Sequence, residues 1–291
     1  MKNSKYTFLL ASALLLASCG DQNEATEVED QNASTEVTDV ADSTNEQVEE
    51  ESDTESEDEE VVEEEPEEEA VTFEYEVNSG IYTIQPIEGS EADSQVALLT
   101  YDDAPDKYAL DIAKTLVEHD AHAIFFVNGM YLENDEGKEM LKEIHDMGFE
   151  IGNHTQTHAS LPSISEEKQY EEIVTTSDMV EEITGERPRF FRAPFGQNTE
   201  YSADLAREQG MALMNWTYGY DWESDYMNAD ALSDIMVNTN LLVPGANLLM
   251  HDREWTLEAT PSIIEGLREK DYEIVDPALI KSVENESEDV E

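Results

Sequence analysis

Residues Val96–Pro105 read VALLTYDDAP. Four apolar residues, a threonine and a tyrosine have the composition of a buried strand. Two carboxylates, Asp102 and Asp103, stand side by side where that strand ends. Adjacent like charges repel unless something positive lies between or beside them, so the stretch predicts both a core strand and a cationic neighbour. Outward from it, apolar runs alternate with longer segments of helical period. Expected strands cover 80–87, 96–101, 121–129, 149–154, 189–195, 211–218, 246–251 and 272–276, and expected helices 106–119, 133–147, 166–184, 199–209, 228–238 and 256–270. So regular an alternation predicts an α/β fold with a parallel sheet, as a barrel or an open sheet. In both, chemistry collects at the carboxyl ends of the strands.

Five expected strand ends carry ionisable or constrained groups: Asp102–Asp103, HTQTH (154–158), RAPFG (192–196), YDW (220–222) and LLMHD (248–252). His154 and His158 lie four residues apart, a spacing that lets two imidazoles converge on one ion if the segment turns helically. Thr155 follows the first histidine, so this is not the HExxH pattern of zinc proteases. Two histidines and a carboxylate from a neighbouring strand end leave a tetrahedral Zn²⁺ with an open position for water. That cation answers the repulsion between the paired acids: one of Asp102 and Asp103 binds it, and the other is free to take a proton.

In this order and separation, TYDD, HTQTH, RAPFG, DW and LLMH resemble the five motifs of the polysaccharide deacetylases, the NodB-homology family also called carbohydrate esterase family four. The resemblance spans roughly 96–277. It implies a distorted (β/α) barrel and a divalent-metal hydrolase that removes acetyl groups from sugars. Carried over motif by motif, Asp103, His154 and His158 hold the metal, Asp102 is the general base and His251 the general acid. Arg192 holds the Asp102 carboxylate, and Asp221 pairs with His251 and keeps it protonated. Trp222 and Leu249 line a slot for the acetyl methyl, and the Phe195 N–H joins the metal in stabilising the oxyanion. Zn²⁺ is the expected ion, with Co²⁺, Ni²⁺ and Mn²⁺ as alternatives.

Amide hydrolysis needs an activated water, a stabilised oxyanion and a proton for the departing nitrogen. A metal lowers a bound water's pKa to about 7, and one fixed oxyanion donor is typically worth ~3 kcal/mol in the transition state. Environment lets acid and base titrate oppositely in one site. The motifs depart from the family pattern at Ala104, where glycine is usual, at Tyr101 for Phe and at Phe195 for Tyr. The DW motif lacks a further upstream Asp and stands one residue close to Trp216. His119, His122 and His145 lie away from the rim and read as structural or exposed. Trp255 reads equally as a sugar platform or as packing. Asp271 takes a place where a helix-ending glycine is common.

The chain has 291 residues, 71 acidic and 15 basic, and a formal charge of −56. Residues 1–70 hold 24 acids and 2 lysines, so 71–291 keep 47 acids and 13 bases, a net −34. Such a surface offers no basic patch for nucleic acid. It suits a neutral or cationic ligand, or a high-salt habitat. Residues 1–18 have a basic start and an apolar run too short to span a membrane, the pattern of a signal peptide. LASC (16–19) resembles the bacterial lipobox, with Cys19, the chain's only cysteine, as the lipidated residue. Residues 19–70 form an acidic tether that cannot bury enough apolar area to fold. Its fifty residues from 21 to 70, at about 3.5 Å each, reach roughly 170 Å at most. Residues 71–291 form the catalytic domain. The expectation is an exported, lipid-anchored deacetylase at the cell surface, acting on an N-acetylated glycan such as peptidoglycan N-acetylglucosamine. Two other readings stay open: a xylan or chitin-oligomer deacetylase, and a glycan-binding lipoprotein with relic machinery. The complete set of motif acids and bases weighs against a relic.

Overall fold

The computed structural model describes residues 72–283; the expected signal peptide, Cys19 and the tether lie outside them. The strands are β1 (Tyr75–Val77), β2 (Ile84–Pro86), β3 (Val96–Ala104), β4 (Ile124–Val127), β5 (Glu150–Asn153), β6 (Phe190–Phe191), β7 (Ala212–Leu213), β8 (Tyr218–Gly219), β9 (Ala246–His251) and β10 (Glu273–Ile274). The helices are α1 (Ala109–Glu118), α2 (Asp135–Asp146), α3 (Glu166–Thr184), α4 (Glu200–Glu208), α5 (Ala229–Asn238) and α6 (Glu254–Arg268). Their ends follow local chemistry. Asn134, Ser165 and Asn228 accept a first-turn N–H at the starts of α2, α3 and α5, and Thr199 forms a capping box with Ser202 on α4. Gly185 ends α3 at φ 87°. Asp271 takes the left-handed conformation after α6, at φ 62°.

The main sheet runs β7-β6-β5-β4-β3-β9-β8, with β10 beside the start of β3, and its pairs are parallel. Followed along the chain, β3 to β7 step one way around, and β8 and β9 return to β3 from the other side. The result is a (β/α) barrel that fails to close between β7 and β8. The single strand expected at 211–218 is therefore two, and the reason is where its backbone bonds go. The carbonyls of Met214 and Asn215 accept from the Arg192 guanidinium at 2.9 Å each, and Asn215 also from Asn247 Nδ2 at 2.9 Å. Side chains thus supply the bonds that a neighbouring strand would otherwise make. At the amino end, β1 and β2 pair antiparallel, and their Tyr75 and Ile84 pack with the interior residues Val96, Leu98 and Phe126. There the Ile84 N–H meets the Gly245 carbonyl. Gly245 has φ 74°, and a Cβ on it would lie 1.9 Å from the Ile84 oxygen, so only glycine fits.

Strand alternation in β3 sets up the site. Ala97, Leu99 and Tyr101 pack outward with α1, α5 and α6 residues such as Ile112, Leu116, Leu232 and Ile263. Val96 and Leu98 face the barrel interior with Ile124, Phe126 and Phe190. By the same period of two, Thr100 and Asp102 point inward at the top of that interior.

Candidate metal centre and active site

Asp102 is 2% exposed, and its Oδ1 accepts from Arg192 Nη1 at 2.6 Å. Arg192 is fully buried. The same Nη1 reaches Thr100 Oγ1 at 2.8 Å, Nη2 reaches Asn247 Oδ1 at 3.3 Å, and the guanidinium lies 4.2 Å from the Phe126 ring centroid. A buried charge persists only when paired and hydrogen-bonded, and here the guanidinium's donors are engaged on all sides. Burial lowers the Arg192 pKa, and Asp102 opposes that shift. The carboxylate's other oxygen, Oδ2, lies 3.5 Å from His154 Nε2.

Asp103 interrupts the alternation. The β3–β4 register shifts between Tyr101 and Ala104, and Asp103 takes φ 61°. The left-handed residue is thus the acid itself, and Ala104 stands outside that region, so no glycine is required there. This twist turns the second carboxylate toward His154 and His158. One ligand atom from each of Asp103, His154 and His158 lies within 4.8 Å of the others, the only such group of three or more among the described residues. His154 is buried, and its Nδ1 lies 2.7 Å from the Arg192 carbonyl. A carbonyl can only accept, so Nδ1 carries the proton and the Nε2 lone pair points toward Asp103 and His158. Burial holds the His154 pKa below the ordinary imidazole value, although Asp102 opposes it. Burial would raise the Asp103 carboxyl, but His251, His154, His158 and Arg253 together hold it below the usual carboxylate value. One carboxylate and one neutral imidazole face, joined by His158, fit a divalent cation with a position left open.

The two histidines converge through a loop rather than the helical turn their spacing suggested. Thr155 and His158 take φ 70° and 56°, conformations unusual outside glycine. Glu172 on α3 pins the loop: its carboxylate accepts from Thr157 N at 2.8 Å and Thr157 Oγ1 at 2.6 Å, and its carbonyl accepts from Gln156 N at 2.8 Å. Beneath it, Asn153 Oδ1 accepts from Thr155 N, while its amide donates to Ile173 O and Ser177 Oγ.

On the other side, β9 places His251 directly opposite Asp102 in register. His251 Nδ1 lies 2.7 Å from Asp221 Oδ1, and Asp221 Oδ2 accepts from the His251 N–H at 2.6 Å and from Thr256 Oγ1 at 2.8 Å. Burial works against charge on His251, but Asp221 overrides it and raises the pKa. Trp255, read from the sequence as a sugar platform or as packing, lines the cavity with its ring while its Nε1 donates to the Asp221 carbonyl at 2.8 Å.

These groups surround a cavity of about 520 Å³ whose apolar walls include Phe195, Trp216, Trp222, Met227 and Leu249. Phe195 is exposed, takes φ 60° and packs edge-on to His158, with ring centroids 4.8 Å apart. Trp222 packs edge-on to His251 at 5.4 Å. The ten sequence-selected residues within the described region, Asp102, Asp103, His154, His158, Arg192, Phe195, Asp221, Trp222, Leu249 and His251, are thus gathered at one end of the barrel. His119, His122 and His145 lie elsewhere, against the Thr115 carbonyl, Asp276 and Glu186. Sequence reading quoted Asp252 within LLMHD without giving it a role, and missed Glu172, Asn247 and Arg253. Only Asp252 and Arg253, directly after His251, carried a positional hint.

Comparison with known proteins agrees with this geometry. A family model described as polysaccharide deacetylase matches residues 89–214. The chain is 32% identical over 187 residues to a peptidoglycan-N-acetylglucosamine deacetylase of Bacillus cereus, covering 62% of this chain and 68% of that one. Among solved structures, the Bc1960 peptidoglycan N-acetylglucosamine deacetylase superposes with a TM-score of 0.60 at 26% identity, covering 73% of this chain and 95% of that one. BA3943 of Bacillus anthracis, described as a pseudoenzyme of carbohydrate esterase family four, superposes at 0.58 with 27% identity, covering 66% of this chain and 68% of that one. Fold, sequence and the clustering of five motif segments at one barrel end lead to one assignment: the chain belongs to the polysaccharide deacetylase family.

Proposed function

We propose that this protein is a metal-dependent hydrolase that removes the acetyl group from an N-acetylated glycan, with peptidoglycan N-acetylglucosamine as substrate. The observation that carries the reading is a complete constellation around one cavity. Three ligand atoms converge, an unligated carboxylate stands beside them, and an imidazole raised in pKa stands opposite. A pseudoenzyme has no need of such a set, which favours catalysis over glycan binding alone.

Asp103, His154 and His158 would hold the cation, Zn²⁺ by preference for this donor set. A divalent ion there supplies Lewis acidity, which acidifies water and polarises the acetyl carbonyl. The chain's own residues do the rest. Asp102, kept in place by Arg192, takes the proton from the attacking water. His251, charged through Asp221, gives a proton from Nε2 to the departing amine. The left-handed turn at Phe195 offers its N–H to the oxyanion, and Trp222 and Leu249 bound the space for the methyl group. A domain boundary near residue 71, export, and lipid attachment at Cys19 complete the reading; the acidic tether then holds the catalytic domain within reach of the wall. The Bacillus cereus relative supports this choice of substrate.

The test is acetate release from N-acetylglucosamine oligomers and from purified peptidoglycan, with and without chelator. Release that chelator abolishes and Zn²⁺ restores is expected. Release indifferent to chelator contradicts the metal mechanism, and no release from a metal-loaded protein that still binds glycan supports the binding-protein reading instead.

A further inference from the structure

The connection between β3 and α1 is held from β9 by two consecutive residues that the chemistry above leaves unused. Asp252 is buried, and its carboxylate accepts the N–H groups of Asp106, Lys107 and Tyr108 at 2.7, 2.9 and 2.6 Å. Its own N–H donates to the Asp102 carbonyl at 3.0 Å. Arg253 works on the same connection from the cavity side. Its Nη1 donates to the Asp252 carbonyl at 2.7 Å, and its Nη2 donates to Asp103 Oδ2 at 2.8 Å. Asp103 Oδ1 is the oxygen left toward His158, 3.7 Å from Nε2.

We infer that Arg253 is a positioning residue for the metal ligand Asp103: it occupies Oδ2, fixes the carboxylate plane and presents Oδ1 as a single donor. The inference rests on the metal-site reading above but not on the deacetylase activity. Two effects of opposite sign meet at this residue. A guanidinium next to a dication repels it, so losing Arg253 would tighten binding on charge grounds. Losing the hydrogen bond frees an otherwise fixed ligand, which weakens binding. The Arg253 side chain is 35% exposed, so solvent screens its charge, whereas its bond to Asp103 is direct. Orientation therefore dominates. Loss of such an outer partner typically weakens metal affinity about 10- to 100-fold.

The side chain can be changed with the fold intact, because it makes no capping bond to α6, although Arg253 is that helix's N-cap residue. Zn²⁺ affinity is measured by competition with a chromogenic chelator for wild type, Arg253→Ala, Arg253→Gln and Lys107→Ala, with thermal unfolding as the check on folding. Lys107 lines the adjoining cavity with Arg253 and controls for the loss of a nearby positive charge. Arg253→Ala is expected to bind Zn²⁺ about 10- to 100-fold more weakly. Arg253→Gln, which keeps one N–H donor, is expected to fall between Arg253→Ala and wild type, and Lys107→Ala to match wild type. Unchanged or tighter binding by Arg253→Ala, an equal loss in Lys107→Ala, or a wild type without measurable Zn²⁺ affinity overturns the inference. A wild type that binds Zn²⁺ but releases no acetate overturns the deacetylase reading and leaves the role of Arg253 standing.

Discussion

At the carboxyl ends of the strands, His154 and His251 each have one ring nitrogen committed to a fixed partner, the Arg192 carbonyl and the Asp221 carboxylate, and the other facing the cavity. At the amino ends of β5 and β6 a second cavity, of about 320 Å³, is lined by His145, Glu150, Glu186, Arg187 and Asp276. The residue types are nearly the same, but the arrangement is not. His145 meets Glu186 only at 3.5 Å and Asp146 at 3.8 Å, both acids are exposed, and among the described residues the buried His145 Nδ1 makes no hydrogen bond. Arg187 spends its charge on the surface acids Asp178 and Glu181. Only Glu150 is well enclosed, raised in pKa by burial against the pull of Arg189. The two ends share residue types; what distinguishes the end proposed as catalytic is that further contacts aim each group.

The largest effect expected from this contrast is catalytic. Asp102→Asn keeps the shape but removes the base, and acetate release should fall about 10²- to 10⁴-fold. The next is in stability. Arg192→Ala strands the buried Asp102 carboxylate and should cost about 3–5 kcal/mol in denaturant unfolding, whereas Arg187→Ala at the opposite end should cost no more than about 1 kcal/mol. Equal costs would erase the distinction between the two ends.

A third test is the pH profile of kcat. Asp221 raises the His251 pKa, so the pair's stabilisation is complete below the ordinary imidazole value of about 6.5 and fades as pH rises through the higher folded value. As the proposed acid, His251 would function over the same range. Asp221→Asn should therefore move the alkaline limb of the profile to lower pH, and an unmoved limb would mean that His251 is not the acid. The smallest effect belongs to Glu150→Gln, which should leave acetate release unchanged.

Much of this contrast could be read from the sequence. The parity of VALLTYDD puts Asp102 on the same face as Leu98, and the motif order places the proposed metal ligands, base and acid at successive strand ends. What escaped sequence reading depends on contacts between distant segments. Glu172 lies on a helix well after the HTQTH loop it holds, and nothing local marks it. The break between β7 and β8 exists because Arg192 and Asn247 satisfy the carbonyls of Met214 and Asn215, a bond pattern fixed only once the parallel register brings those segments together. The left-handed turn at Asp103 was likewise hidden, since nothing in TYDDA marks the acid itself as the residue that leaves the strand conformation.

Zinc-edge anomalous diffraction from crystals grown with Zn²⁺ tests the centre of this reading directly. The expected result is one ion at the cavity floor, about 2.0–2.2 Å from an oxygen of Asp103 and from a nitrogen of each of His154 and His158, with Asp102 unligated and still on Arg192. An ion bound by Asp102, an ion at the His145 end, or no ion at all would contradict it.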